Sequence, residues 1–295
     1  MPRPLSLPGL LALLLVGGCA RGPLGPPPGP PPDIVVFLLD TVRGDSVTLD
    51  GSGPDVTPTL RALAAEGVAF TSAFTHTTWT KPAVATLFTS RYPTQHSVRS
   101  SSEEGDDGDL ISNALPESLE TLAERLRAAG YETVAVLNQV HLRPKFKFDQ
   151  GFDEYHAFRG KSAAQLNEVL GRWIAARSPE ESRPFFLYVH YLDPHWPYLE
   201  RVHPLRKELG SVAMTSEPPR QGNQVEAWAA GGLSESDVLA LRARYLHGVA
   251  VTDRYMGQAL EMLREAGLMD DTVVVATSDH GEGMNEHGKL QHGFE

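Results

Sequence analysis

The stretch that decides the fold is Asp33-Ile34-Val35-Val36-Phe37-Leu38-Leu39-Asp40. An unbroken apolar run, lacking the alternation of a half-exposed strand, predicts a strand buried on both faces, as in a parallel sheet. The run ends on a carboxylate, Asp40, and continues as Thr41-Val42-Arg43-Gly44-Asp45. Open α/β sheets bind their ligands beyond the carboxyl ends of the strands, so Asp40 falls where a site is expected.

The same apolar character recurs further along. Residues 133–137, 185–190 and 272–277 read as strands, the second ending on His190. It leads into Tyr191-Leu192-Asp193-Pro194-His195-Trp196-Pro197-Tyr198, and the last leads into Ser278-Asp279-His280-Gly281-Glu282. Helical periodicity fills the intervals at 57–66 (closed by Gly67), 116–129 (ended by Gly130), 163–176 and 235–266 (followed by Gly267). Residues 68–74 read as a short strand, 103–109 (EEGDDGD) as an acidic solvated loop, and 199–232 as a polar insertion. Strands alternating with helices predict an α/β protein with a mostly parallel central sheet flanked by helices.

A second stretch carries chemistry: Thr77-Thr78-Trp79-Thr80-Lys81-Pro82, followed by an apolar, helix-compatible run to Arg91. A hydroxyl residue two positions ahead of proline reads as a helix N-cap. Thr80 would then stand at the positive end of a helix, where backbone N–H groups favour tetrahedral oxyanions. The hydroxyl there is either an ordinary cap or a nucleophile awaiting a metal or base. Asp40 and Asp279 at two strand ends, with His280 beside the second and the Thr80 oxygen, make a reasonable ligand set for a divalent cation.

The chain's start sets its expected destination. Residues 1–19 read as an export signal: Arg3, then an apolar run too short to span a bilayer, then Val16-Gly17-Gly18-Cys19. That last segment resembles a bacterial lipobox, so Cys19 is the expected lipidation site and the protein an exported, membrane-anchored lipoprotein of the periplasm or cell surface. Cys19 is the only cysteine, which rules out an intrachain disulfide or a cysteine nucleophile elsewhere. Residues 20–32 (ARGPLGPPPGPPP) read as an extended tether, and 33–295 as one catalytic domain. With 41% hydrophobic residues in 295, the chain can bury a large core. Its net charge of −11 argues against a nucleic-acid partner, and no protein partner is evident.

Taken together, these anchors resemble a sulfatase, a branch of the alkaline phosphatase superfamily. The strand ending in Asp40, the segment Pro82…Thr89-Ser90-Arg91, the Asp193–Tyr198 turn, the helix with Tyr245 and Asp253, and the Ser278–Glu282 turn occur in family order. The family signature is C/S-x-P-S-R-x-x-x-L-T-G-R, whose first residue is oxidised to formylglycine. Here Thr80 takes that place, with Ala83, Val84, Phe88 and Ser90 departing from the pattern and Pro82, Thr89 and Arg91 matching it. Threonine is not a formylglycine precursor, so the chain is similar instead to superfamily branches with a threonine nucleophile, such as phosphoethanolamine transferases.

The resemblance implies an alkaline-phosphatase-like fold whose C-terminal subdomain lies beyond this chain. It implies Asp40, Thr80, Asp279 and His280 as ligands of one divalent metal (Mn, Ca or Mg). Manganese is favoured, because Thr41 stands where many sulfatases carry a further acidic ligand and histidine suits a transition ion. It implies His195 at the leaving group and His292 near the family's oxyanion-binding lysine, with Lys289 the neighbouring candidate. Arg91 and His190 are further expected substrate-binding groups, and His190 and His287 also read as supporting groups behind the site. The expected activity is hydrolysis or transfer of sulfate or phosphate esters on small molecules, glycans or lipids, phosphoester chemistry being favoured. The alternative is a non-catalytic lipoprotein that binds sulfated or phosphorylated glycans.

Overall fold

The computed structural model describes residues 29–50, 55–99, 102–104, 110–112, 114–177, 183–198, 218–219, 225–229 and 232–293. The export signal with Cys19, most of the tether, residues 105–109 and most of the 199–232 insertion lie outside the described residues.

Five parallel strands form the sheet: β1 (Asp33–Leu39), β2 (Glu132–Leu137), β3 (Glu154–Ala157), β4 (Phe185–Tyr191) and β5 (Thr272–Thr277), in the order β3-β2-β4-β1-β5. β1 lies between β4 and β5, with Leu38 paired to His190 on one side and Thr277 on the other. That register brings Asp40, His190 and the Asp279–His280 turn to the same end of three adjacent strands. The expected mostly parallel α/β sheet is the one observed.

Alternate β1 side chains enter different cores, as the two-residue period of a strand requires. Val35, Phe37 and Leu39 pack in a core shared with α4 (Ala163–Ala176) and α5 (Glu235–Glu265). Val36 and Leu38 pack with Val84 and Phe88 of α2 (Thr80–Thr89), together with Phe148, Phe152, Phe186 and Tyr188. Among the described residues the other α-helices are α1 (Pro58–Glu66), α3 (Leu122–Ala128) and two short ones, Pro93–His96 and Val225–Ala229. Helices on both faces bury the central strands, and this is why β1 and β4 read as unbroken apolar runs.

Three expectations change. α3 begins at Leu122 rather than at 116, because Thr121 accepts from Glu124 N (3.1 Å) while the Glu124 carboxylate accepts from Thr121 N (2.8 Å). This reciprocal cap fixes the helix start. Residues 68–74 form no strand: Val68, Phe70 and Phe74 are more than 80% exposed, and no described strand pairs with them. The acidic segment is not simply a loop, since Ser102–Glu104 pairs antiparallel with Leu110–Ser112.

α5 runs unbroken for 31 residues and supports α1 through Asp253. The Asp253 carboxylate accepts from Thr59 N and Leu60 N, both at 2.9 Å, and its carbonyl accepts from Thr59 Oγ1 at 3.0 Å. A side chain distant in sequence thus satisfies free donors in the first turn of α1. Asp253→Ala is expected to cost about 1–3 kcal/mol by stranding those donors; urea unfolding monitored by circular dichroism measures it.

Candidate active site

α2 begins at Thr80 itself. The capping position belongs to Trp79, whose side chain makes no capping bond, so the expected Thr80 cap is displaced by one residue. The Thr80 hydroxyl is therefore not spent on the helix backbone. It lies 3.4 Å from Asp40 Oδ2 and 3.2 Å from His280 Nε2, and the residue is 3% exposed. Buried Val84, Ala85 and Phe88 anchor α2 against the sheet, which holds this end of the helix over the strand termini.

Asp40, Asp279 and His280 can each aim one ligand atom into a common space, all within 4.8 Å of one another. Asp40 Oδ1 and Asp279 Oδ2 are buried without a hydrogen-bond partner. Such oxygens are costly to bury unless something positive meets them. Asp279 Oδ1 is occupied by Thr41 N (3.2 Å) and His280 N (3.0 Å), which leaves the other oxygen facing the cluster. His280 Nδ1 lies 2.9 Å from Gly281 O; a proton donated there leaves the Nε2 lone pair inward. Two buried carboxylates, an imidazole and a hydroxyl fit a divalent cation.

The electrostatics carry the same signature. Burial alone would raise the Asp40 carboxyl, but the His190 hydrogen bond and the charges of His195, His190 and His280 outweigh it and hold the group well below the usual range. Asp279 is pushed up by burial and by the Asp40 charge. Burial would lower the His280 imidazole, yet Asp279 and Asp40 outweigh it and raise the group.

Behind the set, Asp40 Oδ2 is fixed by His190 Nε2 at 2.9 Å and by Gln139 Nε2 at 3.0 Å, and Tyr188 OH lies 3.0 Å from His190 Nδ1. His190 is fully buried. It therefore belongs to the support of Asp40 rather than to a substrate surface, which corrects its expected substrate-binding role. With Oδ2 held, Oδ1 is the oxygen turned toward the cation space. His190→Leu is expected to weaken manganese affinity about 10- to 100-fold, the usual cost of losing such support; titration calorimetry on the variant measures it.

The turn after β1 is strained. Thr41, a β-branched residue, has φ 62°, a region such residues rarely occupy. Tyr245 OH donates to Thr41 O and accepts from Arg43 N, both at 2.9 Å, and Thr41 N reaches Asp279. Tyr245 of α5 thus holds the turn that presents Asp40.

His195, His292 and His280 form a ring cluster, with His292 centred 4.9 Å from His195 and 4.4 Å from His280. Trp79 packs edge-on against His292 at 5.5 Å and donates Nε1–H to Gly293 O at 3.0 Å. His292 Nδ1 lies 3.0 Å from the buried Glu282 carboxylate. Gly293 (φ +89°) is needed here, since a Cβ would sit 2.2 Å from the Trp79 ring. Gly248 of α5 plays a related part for His195: a Cβ there would lie 2.7 Å from Asp193 O, in the turn that carries the histidine.

The structure does not gather every expected residue. Arg91 is exposed beyond the C-terminus of α2, at the opposite end from Thr80, so its place as a substrate-binding group is corrected. Lys289 is exposed on the turn between β6 (Gly283–Met284) and β7 (Leu290–Gln291), and His287 is exposed on the same turn; of the neighbouring candidates, His292 is the one that meets His280 and His195. Sequence reasoning missed Gln139, Tyr188 and the Glu282 contact. Gln139 sits just past the carboxyl end of β2, where the strand-end rule would have flagged it.

The sulfatase family profile matches residues 32–295. The choline-sulfatase of Rhizobium meliloti (strain 1021) is 21% identical over 87% of this chain and 59% of its own length. The N-sulphoglucosamine sulphohydrolase of Homo sapiens is 26% identical over 93% of this chain and 54% of its own. The crystal structure of the phosphonate monoester hydrolase of Agrobacterium radiobacter has the same fold, with a TM-score of 0.67 at 23% identity, over 90% of this chain and 66% of that one. The fold is that of the alkaline phosphatase superfamily. Within it, the chain belongs to the sulfatase family. It spans little more than half the length of these curated relatives.

Proposed function

We propose that the protein is an exported, metal-dependent hydrolase or transferase of phosphate or sulfate esters with Thr80 as its nucleophile. The observation that carries this reading is the Thr80 hydroxyl lying between Asp40 Oδ2 and His280 Nε2 rather than capping its helix. Asp40, Asp279, His280 and Thr80 would hold the cation, with manganese favoured by the histidine in the set. When bound, it supplies the positive charge that lowers the proton affinity of a hydroxyl and neutralises an oxyanion.

Thr80 Oγ1 attacks phosphorus or sulfur in line, its proton passing to water. The bond to the leaving oxygen breaks as His195 delivers a proton to that oxygen, and His292 faces the charged oxygens of the transferred group. Water or an acceptor alcohol then attacks the covalent phospho- or sulfo-threonine and restores Thr80. Phosphorus is favoured because threonine lacks the aldehyde-hydrate exit open to formylglycine. The name of the Agrobacterium neighbour, a phosphonate monoester hydrolase, supports the same preference. The substrate would be a small-molecule, glycan or lipid ester, met outside the cytoplasm by a domain tethered through lipidated Cys19. The buried ligand set around Thr80 favours turnover over a purely glycan-binding role.

The test compares hydrolysis of an aryl sulfate, a phosphomonoester and a phosphodiester with manganese, with calcium and with chelator. Manganese-dependent phosphoester turnover is expected. Sulfate turnover alone would overturn the preference for phosphorus, and activity unaffected by chelator would overturn the metal dependence.

A further inference from the structure

Lys81 follows Thr80 and is 4% exposed, yet among the described residues it has no carboxylate partner and no hydrogen-bond acceptor. Its Nζ stands 4.1 Å from the centre of the Phe146 ring, and Lys145 Nζ stands 4.6 Å from the same centre. Lys145 likewise lacks a carboxylate partner among the described residues. The Lys81 stem is buried but its Nζ is not sealed from solvent, so a solute can reach the ammonium, and a second ammonium at the same ring adds repulsion. A ring face under each cation offsets only part of that repulsion.

The location gives the arrangement its meaning. Phe146 and Lys145 belong to the segment that follows β2, the same segment whose Gln139 holds Asp40. Lys81 follows Thr80 in the first turn of α2, and the shared Phe146 ring brings Lys145 to it, so the cations border the Thr80 site. Neither lysine pairs with Asp40 or Asp279, so they lie beside the ligand set and not within it. In a chain of net charge −11 this is a local reversal of sign, and such a reversal on a site wall attracts anions.

We propose that Lys81 and Lys145 form a second anion subsite, which takes a negatively charged group of the substrate other than the ester being cleaved. The preferred substrate is then a polyanionic ester carrying a further sulfate, phosphate or carboxylate. This rests on the proposed function for the identity of the reacting group, but its test does not need turnover.

Binding of benzene-1,3-disulfonate and of benzenesulfonate would be measured by calorimetry on the manganese-loaded protein, Lys81→Met and Lys145→Glu. Lys81→Met keeps the buried stem, and Lys145→Glu alters an exposed position, so one variant covers a folding failure of the other. The disulfonate is expected to bind the unaltered protein about tenfold more tightly than the monosulfonate, one charge-assisted contact's worth, with that advantage lost in both variants. Equal affinities for the two probes, or an advantage that survives both substitutions, would overturn the subsite. A lost disulfonate advantage alongside unimpaired hydrolysis by Thr80→Ala would keep the subsite and overturn the nucleophile.

Discussion

Thr80→Ala protein, assayed with saturating manganese, is expected to hydrolyse its best ester substrate about four to six orders of magnitude more slowly than the unaltered protein. The size follows from the role: removing a nucleophile deletes the covalent route, and what remains is substrate binding and oxyanion stabilisation. Its alanine methyl fits the space, since the residue lies at the start of a well-anchored helix and its hydroxyl makes no backbone bond there. The fold should therefore survive, and a loss of rate can be read as a loss of chemistry. Thr80→Ser, which keeps the oxygen, should recover a large part of the rate. Quenched reactions followed by intact-mass spectrometry would show the phosphoryl or sulfuryl adduct on the unaltered chain. A Thr80→Ala rate within tenfold of the unaltered one would end the proposal for this residue.

Asp279→Asn should separate metal binding from fold stability in opposite directions. The substitution preserves an oxygen for Thr41 N and His280 N, the two donors that Asp279 Oδ1 now satisfies. It replaces Oδ2, which makes no hydrogen bond and lies 3.4 Å from His280 Nε2, with an amide that can face Asp40 Oδ1, likewise without a hydrogen bond. Manganese affinity is expected to fall on the order of a thousandfold or more, since a charged ligand costs more than the 10- to 100-fold of its supporting groups. Under chelator, the variant should nonetheless be more stable, by about 1–3 kcal/mol, because one of two buried, mutually repelling carboxylates has gone. With manganese at a hundred times its dissociation constant the unaltered protein should gain about 2.7 kcal/mol, and the variant almost nothing. Thermal unfolding with and without chelator measures both. A variant less stable than the unaltered protein under chelator would show that the two carboxylates do not oppose each other.

How much of this could be read beforehand follows from range. β1 and β4 are unbroken apolar runs because both their faces are covered, and a run of that kind announces itself. Asp40 came with β1 and Asp279 with the apolar run of β5, since the end of a parallel strand is a fixed place. β3 did not announce itself: Glu154-Tyr155-His156-Ala157 is short and mixed, and becomes a strand because β2 offers it an edge. Residues 68–74 have strand composition but no described neighbour to pair with, so composition misled. Arg91 was drawn from a motif match, but α2 is ten residues long, which separates its ends by about 15 Å. Gln139, Tyr188 and Lys81 matter through contacts across the sheet end, and their neighbours in sequence carry no trace of that.

The place of β1 between β4 and β5 has a consequence for how the molecule is made. Asp40 follows the first described strand of the central sheet and Asp279 follows the last one in that sheet, yet the two must meet. No local segment contains the cation space in miniature; it appears when β5 docks against β1, after a loop closure spanning most of the chain. In a refolding experiment, manganese uptake should therefore lag the helical signal and coincide with the final docking step, which makes the bound ion a natural reporter of a finished fold.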